Sequence, residues 1–142
     1  MNGITVKHDQ LTADDFIMLW GSVWGGAPTK EQVGLALKHS LFCVSLHDGQ
    51  RTVAMARMIG DMGLCCYIKD VIVHPDYQGK GLGRLLITEL LSFVKAHGIN
   101  GTDVFVELAA VPDKMPFYEK LGFDTNSAQR MKMSYHIDRY GE

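Results

Sequence analysis

The 142-residue chain has no apolar run approaching a membrane span: Val71, Ile72 and Val73 form one of its apolar stretches, against the roughly 20 residues that a crossing helix needs. Residues 1–10 lack the apolar centre of a signal peptide, so no membrane partner is expected and the cytoplasm is the expected location. Cysteine is scarce. The three present are an odd number, and Cys65 and Cys66 are neighbours outside any CxxC spacing, which argues against a disulfide framework and for small core residues. The six histidines are scattered and form neither an HExxH nor a paired Cys/His arrangement, so no metal is expected. Basic blocks are also missing. A formal charge of -2 arises from interspersed acids and bases, and nucleic acid is not an expected partner.

Apolar residues, in contrast, are plentiful at 46%, with 21% charged, the balance of a soluble globular fold. A chain of this length buries about two thirds of the surface it exposes when unfolded, enough for one packed domain over residues 1–142 without covalent staples.

The periodicity gives the order of elements. Ile4 to Val6 alternates as a short strand. Thr12, followed by Asp14 and Asp15, is an N-cap with first-turn acids that suit the helix dipole, and Phe16, Leu19, Trp20 and Val23 repeat at helical spacing. A second helix is expected from Thr29, with Val33, Leu35 and Leu37 partly buried. Residues 41–46 and 52–59 read as strands joined at the Asp48–Gly49 turn, and residues 64–73 as a third strand of an antiparallel meander. From Leu82 the period changes: Leu82, Leu85, Leu86, Leu90, Phe93 and Val94 form one stripe that Gly98 ends. A strand at 104–109, a short helix at 116–121 and a final strand at 131–137 complete an α+β pattern. That final strand is expected to offer a free edge.

The joint between the third meander strand and the long helix carries the chemistry. Gly79, Gly81 and Gly83 fall within five positions just ahead of a helix. Glycine accepts positive φ and has no Cβ, so successive backbone N–H groups can turn toward one anion, and the helix N-terminus adds partial positive charge. Lys80 and Arg84 supply further charge at the rim. A diphosphate suits such a loop; the plainer reading is a turn that lets strand and helix pack closely. A Walker loop would need Ser or Thr after Gly79 and Lys80, where Gly81 stands. The GxGxxG pattern would put its third glycine on Arg84 or Leu86. Asp103 does stand where a ribose-binding acid of a dinucleotide fold would, but an antiparallel meander ahead of the loop argues against that fold.

The run Gln78-x-x-Gly81-x-Gly83, preceded by Val73, His74 and Pro75 and followed by an apolar helix, resembles motif A of the GNAT acetyltransferases; Phe117-Tyr-Glu-Lys-Leu-Gly-Phe123 resembles motif B. The resemblance covers essentially the whole chain. It implies a mostly antiparallel mixed sheet of six to seven strands, flanked by about four helices, whose fourth and fifth strands splay apart. It also implies acetyl-CoA as co-substrate, with the backbone of Val71, Ile72 and Val73 pairing with the pantetheine arm and Gln78, Gly79, Lys80, Gly81, Leu82, Gly83 and Arg84 holding the pyrophosphate. Val111 and Lys114 stand where many members carry Asn and Ala, a departure that leaves cofactor contacts from that segment unassigned.

The resemblance further implies transfer of acetyl to a primary amine of a small molecule or peptide. Tyr118 is the candidate general acid near the sulfur, its phenol having an ordinary pKa of about 10. Asp70 and Glu107, acids within otherwise apolar strands, are the candidate relays for the amine proton, and Asp70 is expected to alternate with Ile68 and Ile72 on one face. A backbone N–H near Val71 or Ile72 is the implied oxyanion donor. Phe16, Trp20 and Trp24 fall where relatives build the acceptor pocket, although core packing is the commoner use of such a set. The rival readings are an acyl-CoA-binding sensor without turnover and a nucleotide-binding domain. The resemblance allows a homodimer.

Overall fold

Thr12 and Thr29 act as short hydroxyl side chains do at helix starts: Thr12 Oγ1 accepts from the Asp15 N–H at 3.1 Å and Thr29 Oγ1 from the Gln32 N–H at 3.1 Å. They open α1 (Ala13–Val23) and α2 (Lys30–Lys38). The Asp48–Gly49 turn, with Gly49 at φ 63°, joins β2 (Phe42–Asp48) to β3 (Arg51–Gly60), and β4 (Cys65–Val73) completes the meander behind β1 (Ile4–His8). Then follow α3 (Leu82–His97), β5 (Asp103–Ala109), α4 (Met115–Lys120), β6 (Asp124–Ser127) and β7 (Arg130–His136). These elements belong to a computed structural model that describes residues 3–127 and 130–141.

The strands form one sheet in the order β1-β2-β3-β4-β5-β7-β6, antiparallel except at the β4–β5 pair. This is the mixed α+β architecture expected. The stripe of α3 packs on one face of the sheet, with Leu86, Ile87, Leu90 and Val94 at 0% exposure against Val44, Leu46, Ala54 and Met58 and with Leu85 and Phe93 half-buried at its margin. Phe16, Leu19 and Val33 from α1 and α2 close over Met55 and Ile72 on the other face. Arg139 ties off the far end of α3: its Nη1 donates to the carbonyls of Lys95, Ala96 and Gly98.

Three expectations are corrected. The final strand is interior, because β6 forms outside it, and the sheet edges are β1 and β6. Leu35 points outward at 61% exposure, because α2 is amphipathic and only Val33 sits fully inward. Asp70 does not continue an alternation between Ile68 and Ile72. Ile72 pairs with Met55 and Lys69 with Arg57, so Asp70 and Val71 together face the single Ala56. This β-bulge resets the side-chain alternation. As a result Ile68 joins the core beneath α3, while Ile72 joins the cluster beneath α1 and α2.

Candidate active site

The parallel β4–β5 pairing covers only Cys65, Cys66 and Tyr67 against Phe105, Val106 and Glu107. Beyond that point the strands separate, and among the described residues the side of β4 facing β5 has no ladder partner from Ile68 to Val73. Unpaired strand edges hydrogen-bond readily to another extended chain. Between the parted ends opens a cleft of about 650 Å³, within the usual range for sites that hold small organic ligands.

The glycine loop closes one end of this cleft. Gly79 and Gly81 hold φ of 76° and 84°, and a Cβ on either would meet nothing within 4 Å, so backbone conformation rather than space calls for glycine at both. Gly83 is there for a different reason: a Cβ would lie 3.2 Å from the Phe117 ring, where α4 packs on the start of α3. Gly81 is the N-cap of α3 and no side chain caps the helix, which leaves its first amides facing the cleft mouth. Gln78 Nε2 donates to the Val73 carbonyl at 3.0 Å, and the Tyr77 hydroxyl donates to Asp48 Oδ2 at 2.6 Å. These bonds tie the loop to the ends of β4 and β2.

The lining includes Val71, Ile72, Val73, Gln78, Gly79, Gly81, Leu82, Gly83 and Arg84. Lys80 is absent from it; its Nζ stands 5.3 Å from the Tyr77 ring centroid, a cation–π contact beside the loop. Tyr118 and Asp70 line the cleft as well. Glu107 does not: it pairs across to Tyr67 and stands half-buried on the sheet face away from the α3 core. Val111 and Lys114, the two departures from the motif, are both in the wall.

Tyr118 is 9% exposed and stacks edge-on to Phe117 and Phe123. Burial pushes its phenol up to about 12, because the phenolate would lose hydration with nothing to replace it. This corrects the ordinary value expected from sequence. Its hydroxyl has no hydrogen-bond partner among the described residues. No buried side-chain N or O is left unpaired there either, so the oxygen keeps contact with the cleft.

Asp70 sits at φ 56°, a strained left-handed conformation for a residue with a side chain. Its carboxylate is 10% exposed and receives the Arg57 Nε–H on Oδ2 at 2.5 Å, while Arg57 Nη1 donates to Ser40 Oγ. Sequence reading passed over Arg57, although a lone cation in the apolar run of β3, across from a lone acid in β4, was a usable signal. Among the described residues no group of three or more His, Cys, Asp or Glu side chains is placed to hold a metal ion.

Residues 9–123 match the Acetyltransferase (GNAT) family. The chain is 38% identical over 104 residues to an uncharacterized N-acetyltransferase of Porphyra purpurea, covering 70% of this chain and 57% of that protein. It is 32% identical over 114 residues to a histone acetyltransferase of Glycine max, covering 72% of this chain and 47% of that one. The chain thus spans about half the length of the curated relatives it matches. Among solved structures, a probable acetyltransferase from Staphylococcus aureus superposes with a TM-score of 0.79 at 30% identity, covering 87% of this chain and 92% of that one.

Proposed function

Since the chain belongs to the GNAT acetyltransferase family, we propose that it is an acetyl-CoA-dependent N-acetyltransferase acting on a primary amine of a small molecule or peptide, by direct attack in a ternary complex. One observation carries this reading: a single cleft is lined at once by the unpaired edge of β4, the uncapped start of α3 and the Tyr118 hydroxyl. Those features match the three parts of the co-substrate, its amide-bearing arm, its diphosphate and its thioester.

Bound there, acetyl-CoA supplies an activated acyl carbon with a thiolate leaving group. The β4 backbone beyond Tyr67 pairs with the arm, and the amides that follow Gly79 and Gly81, with Arg84, hold the diphosphate. A backbone N–H near Val71 or Ile72 steadies the carbonyl oxygen as it gains charge. The acceptor nitrogen forms the C–N bond as the C–S bond breaks. Its proton, made acidic by that bond, passes to Asp70, which lines the cleft, rather than to Glu107, which does not. Tyr118 donates a hydrogen bond to the departing sulfur; a phenol at about 12 stays protonated throughout the working pH range.

The cytoplasm is the proposed setting: Cys43, Cys65 and Cys66 are all unpaired, and no helix among the described residues is long and apolar enough to cross a membrane. The test is thiol release from acetyl-CoA across an amine panel, run beside calorimetry with acetyl-CoA. Acceptor-dependent release supports the proposal. Binding without release from any amine would make the protein an acyl-CoA sensor instead, and no binding would remove both readings.

A further inference from the structure

Away from the cleft, one polar chain is buried in the sheet. Ser45 and His47 of β2 and Thr52 of β3 are all buried, and none of them lines the cleft. Thr52 Oγ1 donates to Asp15 Oδ2, in the first turn of α1, at 2.6 Å. Its one proton is used there, so at 3.2 Å it accepts from His47 Nδ1–H. A neutral imidazole has a single N–H, which leaves Nε2 to accept the Ser45 hydroxyl at 2.8 Å. Every proton in the relay Ser45–His47–Thr52–Asp15 therefore has one direction, and no buried side-chain N or O among the described residues lacks a partner. A second proton on the ring would turn the Ser45 hydroxyl away from Nε2 into buried surroundings. The charged groups that face the ring are Lys7 from β1 and Asp15 from α1; burial first and then Lys7, against Asp15, hold His47 below its usual value.

The relay sits where the β2–β3 hairpin changes register. Leu46 pairs with Ala54 but His47 with Thr52, so Val53 is the extra residue of a β-bulge, and the His47–Thr52 bond closes the two strands immediately beyond it. The bulged tip in turn holds the segment that leads into the glycine loop. The Val53 carbonyl accepts the His74 N–H at 2.8 Å, Asp48 accepts the Tyr77 hydroxyl, and the Arg51 guanidinium stands 5.3 Å from the Tyr77 ring centroid. Tyr77 lines the cleft, and Gln78 and Gly79 follow it directly. A chain of directed bonds thus runs from α1 through the hairpin to the loop.

We infer that this relay is a positioning device for the loop: Asp15, Thr52, His47 and Ser45 fix the hairpin tip, and the tip sets Tyr77 and the amides behind it where the diphosphate binds. None of the four lines the cleft, so each acts on coenzyme A through Tyr77 and its neighbours. The inference rests on the proposed co-substrate for its functional half and on the ligand-free protein for its structural half. A relay that only stapled α1 to the sheet would lower stability when cut and leave the loop as it was.

Thr52→Val keeps the branched shape and removes the hydroxyl, and Thr52→Ser restores it. In ligand-free protein, nitrogen NMR of the imidazole should find His47 mostly neutral at about pH 6.5, where an unperturbed histidine is half charged, with its proton on Nδ1. The Tyr77 phenol is held above its usual value chiefly by donation to Asp48, against the nearby Arg51. Ring-carbon NMR, assigned with Tyr77→Phe, should show it ionising at lower pH in Thr52→Val and at the parent's pH in Thr52→Ser. By calorimetry, Thr52→Val should bind coenzyme A about fivefold or more weakly than the parent, with Thr52→Ser within about twofold. Tyr77→Phe should weaken binding too, and the double variant by no more than about twofold beyond the worse single one, because both cut the same tether. Where Thr52→Val fails to fold, Ser45→Ala, a milder cut at the other end of the relay, carries the same tests. The inference is overturned if His47 carries its proton on Nε2, if the Tyr77 phenol titrates alike in parent and variant, if the folded variant binds coenzyme A unchanged, or if the two single effects multiply in full. A parent that binds no coenzyme A would strike the proposed function, and the Tyr77 titration would still decide whether the relay sets the loop.

Discussion

Replacing Tyr118 by Phe separates a working hydroxyl from a merely packed one, because the two predict opposite pairs of outcomes. The hydroxyl has no partner among the described residues and sits on a ring that is 9% exposed. Removing it sacrifices no protein hydrogen bond, and because the oxygen keeps contact with the cleft it is not a buried orphan whose removal would release the full penalty of about 1–3 kcal/mol. Stability near pH 8 should therefore stay within about 1 kcal/mol of the parent or rise. The pH dependence has a definite sign. A folded value of about 12 lies above the unfolded value of about 10, so the parent keeps its full stability below pH 10 and loses it as pH climbs through about 12. That loss amounts to roughly 1 kcal/mol by pH 11 and at most about 3 kcal/mol, and Tyr118→Phe should lack it.

Turnover should move the other way. A phenol at about 12 is a weaker acid than a thiol at about 8.5, so complete proton delivery to the departing thiolate would be uphill by about 5 kcal/mol. Donation of a hydrogen bond to a charged sulfur is worth about 1.5–3 kcal/mol, which sets the expected fall in kcat at about 10- to 150-fold with little change in KM. Urea unfolding at pH 8 and pH 11, with thiol release followed against pH, supplies both halves. Full turnover in Tyr118→Phe refutes the role. So does a basic limb near pH 10 that vanishes in the variant, since a buried phenol should not titrate there.

Gly81→Ala places a side chain at φ 84° with nothing to strike, so its cost is conformational: about 1–2 kcal/mol in chemical unfolding, with weaker coenzyme A binding as the amides turn away. An affinity and a stability both unchanged would mean the loop does not need this backbone. Arg139→Ala removes the Nη1 donor shared by three carbonyls at the end of α3 and should cost about 1–2 kcal/mol, lowering Tm by roughly 3 to 8 °C without altering coenzyme A affinity. Burial pushes the Cys66 thiol up to about 11, and Cys43 is raised by burial too. At pH 8 about one Cys66 thiol in a thousand is ionised, so an aromatic disulfide should leave Cys66 and Cys43 untouched in folded protein and titrate both after unfolding. Rapid native labelling of Cys66 would contradict its buried placement.

What the sequence disclosed and what it concealed divide along physical lines. The stripe of α3, the hydroxyl caps Thr12 and Thr29 and the Asp48–Gly49 turn are local signals, and each element stands where those signals put it. The loop was legible for the same reason, since positive φ at Gly79 and Gly81 leaves its trace in residue type. The bulge at Asp70 leaves none: no glycine marks it, and only the register between β3 and β4 exposes it. β6 was hidden because Asp124, Thr125, Asn126 and Ser127 have the composition of a turn, and its pairing with β7 is what takes the final strand off the edge. Of the two candidate acids, spacing alone gave no choice; the splay of β4 from β5 put Asp70 in the cleft wall and left Glu107 out of it.

The most direct test of the central claim is calorimetric titration of the folded protein with coenzyme A and, separately, with pantetheine, which keeps the amide arm but lacks the diphosphate. An anion-holding loop at Gly79 and Gly81, working with the open edge of β4, predicts one-to-one binding of coenzyme A, with pantetheine at least a hundredfold weaker, a gap of about 2.7 kcal/mol or more. No heat with coenzyme A, or equal affinity for the two, would contradict it.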